Sequence, residues 1–225
     1  MKPVLVEIAA PAEADANAEV RSGPQALGMR IRSLRHERGF GVRELASRIG
    51  VSPSLISQIE LGKGAPSVKT LYALVAALDV PLAQFFGPDS EQRTQNRTAP
   101  SGPSAPAGED RPGLVQKGNL RRSIQLEHEF RWERLTRNPD PNVEFIELHI
   151  GVGGGADGKS EMKTHQGKEY GVVLQGRLGI SLAFDNYVLE PTDSISFDST
   201  LPHCMWNAGL EPVRAIWFVV GRSAR

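Results

Sequence analysis

The chain has 225 residues and sets 26 Lys and Arg against 26 Asp and Glu, so its formal net charge is zero. That length fits one large domain or two ordinary ones, and a hydrophobic content of 40% supplies at least one core. The single cysteine, Cys204, excludes an internal disulfide framework and any Cys-rich zinc module, and no apolar run approaches the roughly 18 residues of a membrane span. The first twenty residues are too acidic and too broken in apolar content for a secretory signal, so the expected setting is the cytoplasm.

Residues 1–22 are rich in Ala and Glu and predict a disordered tail. From 23 to 87 the apolar residues recur at helical spacing. Leu27, Ile31 and Leu34 mark a first helix that stops at Gly39, and Val42, Leu45, Ala46 and Ile49 mark a second that ends at Gly50. Ser52 followed by Pro53 opens a third, packed through Leu55, Ile56 and Ile59. Ser67 caps a fourth with Leu71, Leu74, Val75 and Leu78 inward, and Pro81 starts a fifth over PLAQFF. Between Arg21 and Gly87 there are nine basic and four acidic side chains, so the neutral chain concentrates its positive charge in this helical unit. A local basic excess suits a polyanion, because Lys and Arg at phosphates release condensed counterions.

The composition changes at residue 88. The stretch 88–113 has five prolines and no aromatic, Ile, Leu, Val or Met, and predicts a disordered linker. Beyond it, over 114–225, the period becomes that of strands: EFIELHI, KEYGVVLQGRLGISLAF, YVLEPTDSISF and PVRAIWFVV are β-branched or aromatic runs separated by turn residues, as in an all-β sandwich or barrel. The fold class is therefore a multidomain α plus all-β chain.

Residues 42–61, VRELASRIGVSPSLISQIEL, read as helix, Gly-containing turn, helix. With Leu55, Ile56 and Ile59 inward, Pro53, Ser54, Ser57 and Gln58 lie on the opposite face, as a helix in the major groove requires. Gln58 can bond adenine bidentately, Ser54 and Ser57 can reach bases or phosphates, and Arg43, Lys63 and Lys69 suit the phosphate backbone. Residues 27–86 resemble the lambda- and 434-repressor-like helix-turn-helix family in its common bacterial regulator form, the XRE family. The resemblance implies a five-helix DNA-binding domain and a structural ion pair between Arg35 and Glu60.

In the second domain, Lys163 and His165 are two apart, Glu169 follows, and His203 and Asn207 come later. Two His and one Glu can hold one divalent ion such as Zn, Fe, Mn or Ni. The stretch 115–222 resembles the cupin family, which implies a double-stranded β-helix barrel. The resemblance aligns His165, Glu169 and Gly176 with the first cupin motif and His203 and Asn207 with the second. The first histidine of the family pattern is Lys163 here, and Asp198 and Thr200 replace the Pro and Gly of the second motif. Two accounts stay open. Either His165, Glu169 and His203 hold a metal while Lys163 turns aside, or Lys163 pairs with Glu169 in a metal-free pocket for an organic ligand. A polar cluster with no ligand is a third reading. The effector pocket is expected to comprise Lys163, His165, Glu169, Tyr170, His203 and Asn207, with Trp132, Tyr170, Trp206 and Trp217 as candidate walls. Cys204, next to His203, is expected to face away from the site.

Together the resemblances imply a transcriptional repressor with a DNA-reading head and a sensory barrel. Its partners would be a double-stranded operator and a small effector, and it would act as a homodimer with no membrane association. EMKTHQGKEYGVVLQG resembles the effector domains of the putrescine-utilisation repressor group, which raises a polyamine, amino acid or related compound as effector. The alternative is a metal-dependent cupin oxygenase or isomerase carrying a DNA-binding head; no catalytic residue is assigned.

Overall fold

The computed structural model describes residues 23–87, 114–140, 142–155 and 162–221. The expected tail over 1–22 and the expected linker over 88–113 lie outside these.

Four α-helices form the N-terminal unit: α1 (Pro24–Glu37), α2 (Val42–Ile49), α3 (Pro53–Glu60) and α4 (Val68–Leu78). Each is short, so its stability comes from the face it buries rather than from propensity. Leu27, Ile31, Leu34, Leu45, Ile56, Ile59, Leu71, Leu74 and Leu78 meet in one core, closed by Phe85 and Phe86. The fifth helix expected from the sequence is instead a 3₁₀ turn, Leu82–Phe86. Pro81 opens it and Gly87, at φ 90°, ends it, so only five residues are available and no α-helical ladder develops.

Among the described residues the C-terminal unit has nine strands: β1 (Ser123–Gln125), β2 (Phe130–Arg134), β3 (Val143–Ile150), β4 (Lys168–Gln175), β5 (Leu178–Leu182), β6 (Asp185–Leu189), β7 (Ser194–Asp198), β8 (His203–Asn207) and β9 (Val213–Val220). A six-stranded sheet runs β1-β2-β3-β9-β4-β7 and a three-stranded one β6-β5-β8, with every pairing antiparallel. Alternation decides the inner face. Trp132, Ile146, Leu148, Ile150, Glu169, Val173, Ala215, Trp217 and Val219 are buried, whereas Tyr170 and Phe218 on the same strands are exposed. Gly171 is required where it stands, because a Cβ there would lie 1.9 Å from the Trp217 ring.

The two units touch directly. The backbone N–H of Glu127 donates to the Pro66 carbonyl at 3.1 Å, and the Arg134 guanidinium lies 6.0 Å from the Phe86 ring centroid. Tyr72 of α4 reaches Trp132 of β2, with centroids 5.8 Å apart.

Candidate functional site

Two sites emerge from this frame, one on α3 and one inside the barrel. The α2–α3 turn closes with Gly50 in the left-handed region at φ 71°, and Ser52 then accepts a hydrogen bond from the Leu55 N–H while Pro53 takes the first helical position. Ile56, Ile59 and Glu60 are buried, and Pro53, Ser54 and Gln58 face solvent. Ser57 is half-buried and its hydroxyl donates to the Pro53 carbonyl at 3.0 Å, so it braces the helix. Arg43, Lys63 and Lys69 are exposed on α2, just beyond α3, and at the start of α4. Arg48 is committed elsewhere, to Glu44 at 3.0 Å and to the face of Phe40.

The end of α3 is tied to α1 by an ion pair. Arg35 Nε donates to Glu60 Oε1 at 2.6 Å and Nη2 to Oε2 at 2.9 Å, and Nη1 donates to the Phe40 carbonyl. Both residues are buried. This is the pair the family resemblance implies, and it fixes the tilt of α3 rather than offering charge to a partner.

In the barrel, β4 carries Glu169 inward and β8 opens with His203; both side chains are fully buried. Lys163 and His203 are joined by reciprocal backbone hydrogen bonds, and the His165 N–H is held by the Ser199 carbonyl. His165 Nε2 lies 2.8 Å and His203 Nε2 2.9 Å from the same oxygen, Glu169 Oε1. Close as they are, none of these three atoms is aligned for a hydrogen bond. The other nitrogens are anchored: His165 Nδ1 is 3.1 Å from the Gln166 carbonyl and His203 Nδ1 2.8 Å from that of Leu201. A neutral imidazole that gives its Nδ1 proton to a carbonyl presents a lone pair at Nε2. Trp217 Nε1–H donates to Glu169 Oε2 at 2.6 Å and orients the carboxylate. Three lone pairs therefore converge within 4.8 Å of one another, the donor set of a divalent cation.

Protonation supports the same picture. Burial and the Lys163 charge together hold His165 below the usual imidazole value, outweighing Glu169. Burial alone would raise Glu169, but the nearby Lys163 charge leads the effects that outweigh it and hold the carboxyl well below its usual range. At neutral pH the cluster thus presents a neutral imidazole at His165 and a carboxylate.

Lys163 does not enter the cluster as a fourth ligand. Its ammonium sits 4.5 Å from the Tyr72 ring centroid and 5.9 Å from that of Trp132. Tyr72 also stacks on His165, with centroids 4.9 Å apart and planes 22° from parallel. Beside this group lies a cavity of about 50 Å³ whose walls include Ser67, Val68 and Lys69 of the head and Trp132, Lys163 and Met205 of the barrel.

Tyr170 and Asn207 do not join the cluster. Tyr170 follows Glu169 on β4 and so points to the outer face, 44% exposed. The Asn207 amide nitrogen lies 2.8–3.2 Å from the carbonyls of Ile150, Gly151 and Glu211, where it clips loops together. Trp206 packs over Gly179, and Cys204 is buried outside the ligand cluster although it borders the cavity. Tyr72 has no counterpart in the sequence reading. Its only signal is an aromatic beside, not within, the apolar stripe of α4.

The outer face of β2, β3 and β9 carries a second polar group. Glu147 is bridged by Arg121 and Arg214, each at 2.7 Å, and Glu133 by Arg131 at 2.6 Å. His149, with Nε2 3.7 Å from Glu133, joins Arg131 and Arg121 in lowering Glu133 to about 2 against partial burial. A depressed carboxyl contributes stability that is complete above its unfolded value, near 4.5, and is lost as pH falls toward 2. Glu133→Gln is expected to flatten the acid limb of barrel stability in that window, read by urea unfolding followed through tryptophan fluorescence. An unchanged slope would show that Glu133 is not the titrating group.

Comparison with known proteins agrees with the two-part fold. The helix-turn-helix family matches residues 31–85 and the cupin domain family residues 149–219. The HTH-type transcriptional regulator PuuR of Escherichia coli (strain K12) is 26% identical over 191 residues, covering 85% of this chain and 92% of that protein. The uncharacterized HTH-type transcriptional regulator y4dJ of Sinorhizobium fredii is 35% identical over 65 residues, covering 29% of this chain and 84% of that one. The crystal structure of an HTH_3 family transcriptional regulator from Vibrio cholerae shares the fold, with a TM-score of 0.56, 20% identity and coverage of 88% and 96%. The chain belongs to the XRE-type helix-turn-helix transcriptional regulators that carry a C-terminal cupin domain, and it is a DNA-binding regulator. No described helix is long and apolar enough to cross a membrane.

Proposed function

We propose that this regulator is a cytoplasmic repressor that grips an operator as a homodimer and answers to a small metabolite in its barrel. The observation that carries the reading is the exposure of Ser54 and Gln58 on α3 while the opposite side of that helix is sunk in the core. Repression is the mode the sequence resemblance implies. A dimer is supported by the outer sheet face. There Phe145 stacks on Phe218 at 4.1 Å and pairing places Tyr170 beside Phe218, an aromatic surface left to solvent in one copy. Selecting duplexes from a random pool with the full-length protein tests the reading. Enrichment of a two-fold symmetric site with half-sites about one helical turn apart is expected, and no enrichment would end it.

For the barrel, His165 Nε2, Glu169 Oε1 and His203 Nε2 fit a divalent cation, because three buried lone pairs otherwise face one another without aligned partners. When bound, such an ion would supply a Lewis-acidic point for an oxygen of the effector. Trp217 orients the carboxylate and the Gln166 and Leu201 carbonyls set the imidazole tautomers, so this chain holds the donors ready. Near one equivalent of metal is expected by plasma mass spectrometry of protein grown in metal-replete medium, with Glu169→Gln retaining about a tenth or less. Metal-free wild-type protein would leave the organic pocket alone as the account of the cluster.

A further inference from the structure

The site inside the barrel is not bounded by the barrel. We propose that the effector site is a composite chamber between head and barrel in which Tyr72 of the DNA-binding head occupies the place of the ligand, and that the ligand is a small flat carboxylate. The proposal rests on the sensory reading of the barrel given above.

Size makes the first half of the case. The cavity left between Ser67–Lys69 and Trp132, Lys163 and Met205 measures about 50 Å³. That is room for one or two waters, whereas sites for metabolites run to roughly 300–1,000 Å³. The volume a ligand needs is filled by the Tyr72 phenol, which is 8% exposed and touches His165, Lys163 and Trp132 together. A metabolite that reaches these three groups must take the ring's position, so effector binding and head docking exclude each other.

Chemistry makes the second half. A molecule in the place of Tyr72 inherits an imidazole face at 4.9 Å, an ammonium at 4.5 Å and an indole near 5.8 Å from the ring centre. The flat faces select a planar ligand and the ammonium selects an anion. Among the described residues, Lys69 adds a second cation to the chamber wall, against one acid, Glu127. The Glu169 carboxylate lies behind His165 and His203, and its other oxygen is held by the Trp217 N–H. A diamine would meet Lys163 as a like charge in a desolvated space.

Because docked protein is closed to ligand, the apparent affinity is the intrinsic one reduced by the undocked fraction. Removing the ring should therefore tighten binding, an outcome that loss of structure does not produce. Calorimetric titration of full-length protein with benzoate, benzamide and 1,4-diaminobutane tests this. Benzoate is expected to bind the wild type, to bind Tyr72→Ala about tenfold or more tighter, and to be lost in Lys163→Met, with benzamide and the diamine weaker throughout. Should Tyr72→Ala fold poorly, spin labels at Ser47→Cys and Asp185→Cys in an otherwise native chain report the same competition, the distance between them lengthening as benzoate is added. Benzoate binding Tyr72→Ala no more tightly than wild type, a preference for the diamine, or an unchanged label distance at saturation would each overturn the proposal. Duplex selection with the same preparations keeps the two readings apart: enriched DNA with a failed benzoate arm removes only the composite site.

Discussion

Glu60→Gln is expected to lower the stability of the helical head by about 3 kcal/mol, toward the lower end of what breaking a buried ion pair costs. The reason is the residue left behind. Arg35 would keep its charge in a site that is 6% exposed, with one neutral amide oxygen, the Phe40 carbonyl, and a contact to His36 in place of a bidentate carboxylate. Joint replacement, Arg35→Met with Glu60→Leu, should recover much of the loss, since apolar residues of similar volume remove the desolvation cost along with the attraction. Helices lie mainly in the head and all three tryptophans in the barrel, so circular dichroism at 222 nm and tryptophan fluorescence separate the two units in one denaturation experiment. A head transition that does not move in Glu60→Gln would mean the pair is energetically idle.

The second large effect concerns DNA. Gln58→Ala is expected to weaken binding to the selected operator by about 5- to 150-fold, the 1–3 kcal/mol of one bidentate base contact, and to relax preference at one base pair per half-site. Lys63→Ala should behave differently, weakening all duplexes alike and reducing the salt slope by about one. Gel shifts on the selected site and on a scrambled duplex at two salt concentrations read both quantities. Equal losses on both duplexes for Gln58→Ala would demote it to a phosphate contact. Ser57→Ala is not expected to match it, because that hydroxyl already donates within the helix.

The head was legible because its signals are local: caps, a turn glycine and an apolar stripe all fall within one or two helical turns of each other. Periodicity predicts a helix where the 3₁₀ turn stands because it cannot count how few residues separate Pro81 from Gly87. In the barrel the long strands announced themselves, but β1 has three residues and β8 carries His, Cys and Asn among its five, so neither shows a strand pattern. His165, Glu169 and His203 were found through the family motif, and the structure brings them together. Tyr170 fell out by a rule available beforehand, since a residue next to inward-facing Glu169 on a strand must face outward. Asn207 matched the motif yet serves backbone carbonyls, a distinction that only loop geometry makes. Tyr72 was hidden for a deeper reason: nothing near it in sequence tells which distant surface will cover it.

The barrel meets the head at Pro66, at the start of α4, at Tyr72 and at Phe86, and leaves Ser54 and Gln58 of α3 in solvent. A docked head is thus not gagged, and each copy keeps its reading edge whichever way the junction stands. In the proposed homodimer, control would then consist not of hiding one hand from the duplex but of setting where the other hand is when the first takes hold.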